Sequence, residues 1–558
     1  MKYTFSFIFL LLVLPLSSKT LSLNAISDSN ILTYKKAGLI WGFLKYNHPT
    51  ISSGKYNWDD EFVRLFATLK GADNDTDAET VLLNFVNQFD NKNIPDGEDV
   101  INSNYQWMSS YFTNSNLKNT IYRISQSKRK NDYYAKIDNL NYLSFSNEEP
   151  FKNFDVTEAS HRLLLFFKFW NAIQYWDVNK EFVKHDWLSI LDTYILDFLM
   201  ANTSYEFELV KSRLIAELND SHSSYFSKQV FDKDFKFKPS FGVVYVNDSL
   251  VVNYIYDKAS CINNNVKIGD IITKINGESI KDGLQKRLAH LISASNFNFL
   301  TRFSYYLLCQ ETNKVSVTIV RNGLVVVQEI NLLEDISYND SYTIEGKHAT
   351  IEKLGVNDFY VDLSKLSSKG CDSFFKAQKK LGIGNLILDL RRNNNLHLNT
   401  NKLCNYLITE EREFVKVIGP VKNNPLESDF VSGGGIASLV VSPFVVGKKS
   451  NSQLVSGKIV LLINRNTQSR GEYLALALQQ ANNCITVGNQ TAGSPMNITT
   501  LVLPDGSSFN FTSFKALYPV SNKSVQQHGV KVDVVVDVKA RNYSPDQYLE
   551  VAKEVINQ

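Results

Sequence analysis

A chain of several units, α+β overall, is predicted by three changes of pattern along the sequence. Helical runs rich in Trp, Tyr and Phe fill the first part, and short alternating apolar runs punctuated by Asn-Gly fill the middle. In the last part apolar strands alternate with amphipathic helices. The 558 residues exceed what one hydrophobic core holds, at roughly 150 residues per unit. Hydrophobic residues at 44% and charged residues at 21% are the proportions of a folded chain, not a disordered one.

The opening MKYTFSFIFLLLVLPLSSKT places a lysine before an apolar run from Phe5 to Leu16 and then small residues. This is the pattern of a secretory signal, too short to span a bilayer, so residues 1–24 are expected to be removed, with cleavage between Ser17 and Ala25. A secreted or periplasmic location follows, with no integral membrane span after signal removal. No cysteine follows the apolar run, so no lipid anchor is expected. The five cysteines (Cys261, Cys309, Cys371, Cys404, Cys484) are widely spaced without a CxxC pair, which argues against a zinc ribbon or a disulfide scaffold. Net charge is +2 and the basic clusters are short (SKRK at Ser127, GKKS at Gly447), so no nucleic-acid partner is expected.

Two stretches echo each other. Trp41 and Trp58 stand 17 positions apart, as do Trp170 and Trp187, and a Tyr follows the first Trp of each pair at position 46 or 175. The spacing predicts a repeated helical hairpin whose aromatics pack rather than bind. Residues 25–155 are read as an N-terminal helical region with an irregular linker, about Asn91 to Asn153, and 156–235 as a second helical region. Residues 236–335 are read as a β-rich module, because SFGVVYV, LVVNYIY and KVSVTIVRNGLVVVQEINLL alternate and Asn276-Gly277 and Asn322-Gly323 mark hairpin turns. The order of elements and the GDIITKING stretch resemble a PDZ domain. By that resemblance Ser240-Phe241-Gly242-Val243 forms a carboxylate-binding turn, in which Phe241, Gly242 and Val243 hold an extended peptide by strand addition.

From 340 to 558, FYVDLS, NLILDLR and KIVLLIN alternate with helical stretches, which predicts a sheet covered on both faces with a site at the strands' carboxyl ends. Ser469 lies there, between the strand Lys458–Asn464 and an apolar helix. Ser469 and Glu472 together form the S-x-x-E of a capping box. A serine at that strand-to-helix turn is also where hydrolases place a nucleophile. A serine needs a base, and of eight histidines only His222, in LNDSHSSYF, lies in a dense polar turn after a helix.

The order DSH, GDIITKING, ILDLR, TQSRGEY, GNQTAG and HGVKVD resembles the C-terminal-processing and tricorn-type serine peptidases, most closely the secreted tricorn-like branch. The resemblance covers nearly the whole mature chain. It implies an α/β (ClpP/crotonase-like) serine peptidase core, a polypeptide substrate and no cofactor. In the lysine branch of the family the base stands 25 residues after the nucleophile, where this chain has Ser494. The tricorn-like arrangement then implies Ser469 as nucleophile, His222 as general base, and Ser221 orienting the imidazole or a water. Gln526 stands where the family has a glutamate and supplies no negative charge. Oxyanion donors are implied at the Arg470 N–H and at Asn394 or Asn395, which occupy positions where the family has glycines; Glu472 and Ser494 support the turn. An alternative reading is a catalytically impaired peptidase fold that binds peptides or C termini. A metallohydrolase is not expected, since HExxH and clustered ligand spacings are absent.

Overall fold

The computed structural model describes residues 28–558 except 73, 90–93, 95–102, 128–131, 224, 290, 292–296, 337–341, 344–347, 393–397, 432–443, 450–452, 542 and 545. The expected leader 1–24, Asn394 and Asn395 lie outside the described residues. No described helix is long and apolar enough to cross a membrane.

The repeat is a pair of clasped hairpins. Helices Asp28–Asn47 and Trp58–Leu69 form the first, Ala159–Trp176 and Ile190–Met200 the second. Trp41 Nε1 donates to the Trp58 carbonyl at 2.8 Å and Trp58 Nε1 returns the bond to the Trp41 carbonyl at 3.0 Å. Trp170 and Trp187 repeat the exchange at 2.8 and 3.2 Å. The indole planes lie within 9° of parallel in the first pair and 7° in the second. Each buried indole thereby keeps its one donor satisfied, which is what makes the burial of so large a ring favourable.

The two long helices touch where the first has glycines. A Cβ at Gly38 would stand 2.0 Å from the Phe167 ring, and one at Gly42 would stand 1.9 Å from the Asn171 side chain. Asn171 Nδ2 donates to the Gly38 carbonyl at 3.2 Å, so the close approach also satisfies a buried amide. Beside this crossing, Lys45 and Lys168 are buried with Asp59 and Glu148. Lys168 Nζ lies 2.8 Å from each carboxylate, and Lys45 Nζ lies 2.5 Å from Glu148.

The stretch expected to be an irregular linker contributes to this core. It holds the helix Ser115–Ser125, and Tyr105, Met108, Phe112, Leu117, Ile121, Ile124 and Phe145 are buried in the helical cluster. In that helix Leu117, Ile121 and Ile124 recur at i, i+4 and i+7 among polar residues and form its buried face.

Strands Phe241–Val246, Ser249–Ile255, Ile271–Ile275, Lys314–Arg321 and Leu324–Asn331 form an antiparallel sheet in that spatial order. Asn276 and Gly277, and again Asn322 and Gly323, take positive φ at their hairpin turns, as a type I′ turn demands. The stretch expected as a carboxylate-binding turn is otherwise: Phe241, Gly242 and Val243 begin the edge strand Phe241–Val246. They pair with Ser249–Ile255 through a bulge after Gly242. Phe241 is fully buried, and this inward anchor extends the alternating pattern back into the residues read as a turn.

The last part is built on a six-stranded sheet with the spatial order Ile351–Lys353, Phe359–Asp362, Leu386–Asp389, Ile459–Ile463, Cys484–Gly488, Val534–Val535. All pairs are parallel except the first. One face packs Val361, Leu388 and Leu461 against helices Ser368–Leu381, Thr400–Leu407 and Arg470–Leu478. The other packs Ile387, Val460 and Leu462 against the helix Gln547–Asn557. A hairpin of Ile498–Val502 and Ser508–Thr512 leaves this part and buries Leu501, Phe509 and Phe511 in the helical core, with Phe509 4.5 Å from Phe169. All five cysteines are free thiols.

Candidate active site

The strand Ile459–Ile463 is buried throughout and delivers the chain to a tight turn at the sheet's carboxyl edge. Thr467 holds that turn by donating its hydroxyl to the Leu390 carbonyl at 2.9 Å and accepting from Asn464 N at 3.1 Å. Ser469 then takes φ 54° and ψ −119°, a conformation that non-glycine residues adopt at a cost of about 1–3 kcal/mol. The helix Arg470–Leu478 begins immediately after it, with Tyr473 N donating to the Ser469 carbonyl at 3.0 Å.

Glu472 holds the strained turn in place. Its fully buried carboxylate accepts from Ser469 N at 3.1 Å, Ser494 N at 2.9 Å, Gly493 N at 2.7 Å and Thr491 Oγ1 at 2.5 Å. Burial pushes this carboxyl up to about 7, against the pull of the four donors. The expected Ser469–Glu472 pairing is therefore part of a larger knot that ties the serine to the Thr491–Ser494 turn. Gly493 (φ 76°) makes that knot possible, since a Cβ there would lie 2.7 Å from the Gln527 backbone.

Ser494 bridges the serine to the DSH turn. Its carbonyl accepts from Ser469 N at 3.1 Å, while its hydroxyl donates to Asp220 Oδ1 at 2.7 Å and accepts from Ser221 Oγ at 2.6 Å. Gln526 Nε2 donates to the same Asp220 oxygen at 3.3 Å. Gln468 Nε2 reaches the Ser221 carbonyl at 3.1 Å, and Arg302 holds Gln468 Oε1 at 2.8 Å. Ser221 thus bonds Ser494 and Gln468, and Gln526 bonds Asp220, rather than either contacting the imidazole.

His222 Nδ1 lies 2.9 Å from Thr512 Oγ1. Burial lowers its pKa from the ordinary value, and the Asp220 charge opposes that shift. Among the described residues no hydrogen bond joins Ser469 Oγ to His222. Thr512 arrives on the hairpin Ser508–Thr512, 290 positions from His222 in sequence, so spacing carried no signal of it. Asp220, by contrast, stands inside the DSH motif itself, beside Ser221 and His222. The loop 177–186 backs the site. Asn179 Nδ2 donates to the Thr512 carbonyl at 2.9 Å, and the Phe182 carbonyl accepts from Gln527 Nε2 at 2.7 Å and Asn219 Nδ2 at 3.0 Å. Arg470 Nη2 donates to the Leu398 carbonyl at 2.6 Å, tying the helix start to the chain just before the helix Thr400–Leu407.

Residues 356–536 match the sequence profile described as Peptidase family S41. A protein described as a probable CtpA-like serine protease of Staphylococcus aureus strain N315 is 24% identical over 339 residues, covering 58% of each chain. The counterpart from strain Mu50 gives the same values. The chain thus spans little more than half the length of these curated relatives. Mature CPAF complexed with lactacystin superposes with a TM-score of 0.53 at 13% identity, covering 72% of this chain and 97% of that one. Mature CPAF gives 0.51 at the same identity. At such identity the likeness is one of fold. The profile spans Ser469, Glu472, Ser494 and Gln526, and the curated relatives are described as probable serine proteases: residues 356–536 of this chain carry the sequence pattern of peptidase family S41.

Proposed function

We propose that this chain is a secreted serine peptidase that cleaves polypeptides through an acyl-enzyme on Ser469. The observation that carries the reading is the strained conformation of Ser469 at a strand-to-helix turn, held by a fully buried carboxylate. In this reading Ser469 Oγ attacks the scissile carbonyl. With Nδ1 engaged by Thr512, His222 takes the serine proton on Nε2 and returns it to the leaving amine; water then releases the acyl group. The Arg470 N–H, with a backbone donor from Asn394 or Asn395, serves the oxyanion. The 241–331 sheet acts as a PDZ-like module whose edge strand Phe241–Val246 takes an extended C-terminal tail by strand addition, and 340–558 is the ClpP/crotonase-like core.

Labelling with a fluorophosphonate tests this. Wild type is expected to label and Ser469→Ala not to; equal labelling of the two, or none of either, rejects the proposal. Gln526 in place of a carboxylate, and the lack of a Ser469–His222 hydrogen bond among the described residues, favour a second reading as a peptide binder. For that reading, wild type would bind peptides with a free C terminus, but not amidated ones, without turning them over.

A further inference from the structure

We propose that Asp220 is the charged positioning residue of this site, standing in for the carboxylate that Gln526 lacks and acting on His222 through Thr512. This rests on the peptidase reading of Ser469 and His222 and assigns the role that reading left empty.

Three observations carry it. First, Asp220 is buried and is the convergence point of the site. Its Oδ1 accepts from Ser494 Oγ at 2.7 Å, from the His222 backbone N–H at 3.0 Å and from Gln526 Nε2 at 3.3 Å, and its Oδ2 accepts from Thr512 N at 2.6 Å. Second, Thr512 is held at its N–H by Asp220 and at its carbonyl by Asn179, so its hydroxyl is fixed where it meets His222 Nδ1 at 2.9 Å. A hydroxyl accepting from Nδ1–H leaves Nε2 as the unprotonated, proton-accepting nitrogen. Third, the amide of Gln526 meets Asp220 nitrogen-first, which a glutamate could not do. Position 526 and position 220 are complementary: with a carboxylate at 220, an amide at 526 is the partner that avoids two like charges 3.3 Å apart.

Other ionisable groups surround the pair. Asp177, in the loop 177–186, interacts with Asp220 and is pushed up to about 7 by burial, so near neutral pH it is only partly ionised. Lys180 and Glu181 flank Asp177, and Glu472 lies across the Thr491–Ser494 turn. His528 bonds the Gln526 carbonyl through Nδ1 at 3.0 Å. Of these groups, Asp220 is the one whose charge raises the His222 pKa.

The experiment exchanges the two positions. Fluorophosphonate labelling rate is measured against pH for wild type, Asp220→Asn and Asp220→Asn/Gln526→Glu, and the His222 imidazole is titrated by NMR in each, assigned with His222→Gln. In Asp220→Asn the acidic limb and the imidazole titration are expected to move to lower pH by about one unit, and the plateau rate to fall about 100-fold, within the range of general-base effects. The double variant restores one carboxylate and one amide and is expected to move the limb back and recover at least about tenfold of the rate. A purely structural Asp220 would lower the rate without moving the limb or the titration, and that result overturns the proposal, as does a double variant that folds and labels no better than the single. Should Asp220→Asn not fold, the double variant carries the test alone: folding with labelling supports the exchange, and folding without it refutes it. If wild type labels at no pH, the peptidase reading fails by itself, while the NMR titration still decides whether Asp220 sets the imidazole.

Discussion

Ser469 is held in a strained conformation by a residue that contributes no chemistry of its own. Glu472 accepts from four donors, three of them backbone N–H groups, yet burial sets its pKa near 7. The native state therefore binds a proton that the unfolded chain has released between about pH 4.5 and 7, so this group's stabilising contribution is present at low pH and declines as pH rises through that window. Urea unfolding of wild type and Glu472→Gln is expected to show it. Their difference in unfolding free energy changes against wild type by up to about 3 kcal/mol from pH 4.5 to 7, with the glutamine variant flatter over the window. Parallel curves would mean Glu472 is ionised throughout. At this scale Ser469, His222, Ser494 and Gln526 were legible, because each stands in a short motif with fixed neighbours. Thr512 was not, since a hydroxyl brought from 290 positions away by a hairpin leaves no local pattern.

Between residues and fold, the two hairpins show how one design is reused. The Trp pairs were read correctly as packing, and the structure adds the reciprocal N–H to carbonyl exchange that makes each pair a clasp. Cavities of about 560 Å³ and 570 Å³ open at equivalent loops, one lined by Lys55, Tyr56 and Trp58, the other by Lys184, His185 and Trp187. The second loop is joined to the candidate site through Asn179 and Phe182. The buried Lys45, Lys168, Asp59 and Glu148 group sits against the first. Burial works against the charge of Lys168, and Glu148 and Asp59 outweigh it, raising its pKa. Lys168→Met is expected to destabilise by about 3–5 kcal/mol, because two carboxylates lose a buried partner, and the urea midpoint checks it. A change under 1 kcal/mol would show the group to be solvated. Residues 115–125 do carry a helical period in Leu117, Ile121 and Ile124, but it spans only two turns and lies within a longer stretch dominated by Asn and Ser.

Across the whole molecule the parts are tied by polar side chains as well as by cores. Arg465, just after the strand Ile459–Ile463, donates to Thr301 Oγ1 at 2.9 Å and to the Tyr245 carbonyl at 2.8 Å, fixing the 241–331 sheet against the turn that carries Ser469. The order of helical, β-rich and α/β parts was legible from period alone. The hairpin that carries Thr512 into the helical core was not, because its apolar alternation looks the same whichever core receives it. Where the hairpins meet, Gly42→Ala is expected to cost about 1–3 kcal/mol through overpacking against Asn171, read as a lowered urea midpoint. An unchanged midpoint would mean that the helices part freely at this point.

The glycines at that crossing have a further consequence for how the two hairpins fit together. Small residues lie on the first helix and bulky ones on the second, so at the crossing each copy offers the surface that the other fills. The two halves of the repeat are therefore complementary rather than interchangeable: exchanging Gly38 and Gly42 for the bulky residues of the second copy would leave the crossing without the space that Phe167 and Asn171 occupy.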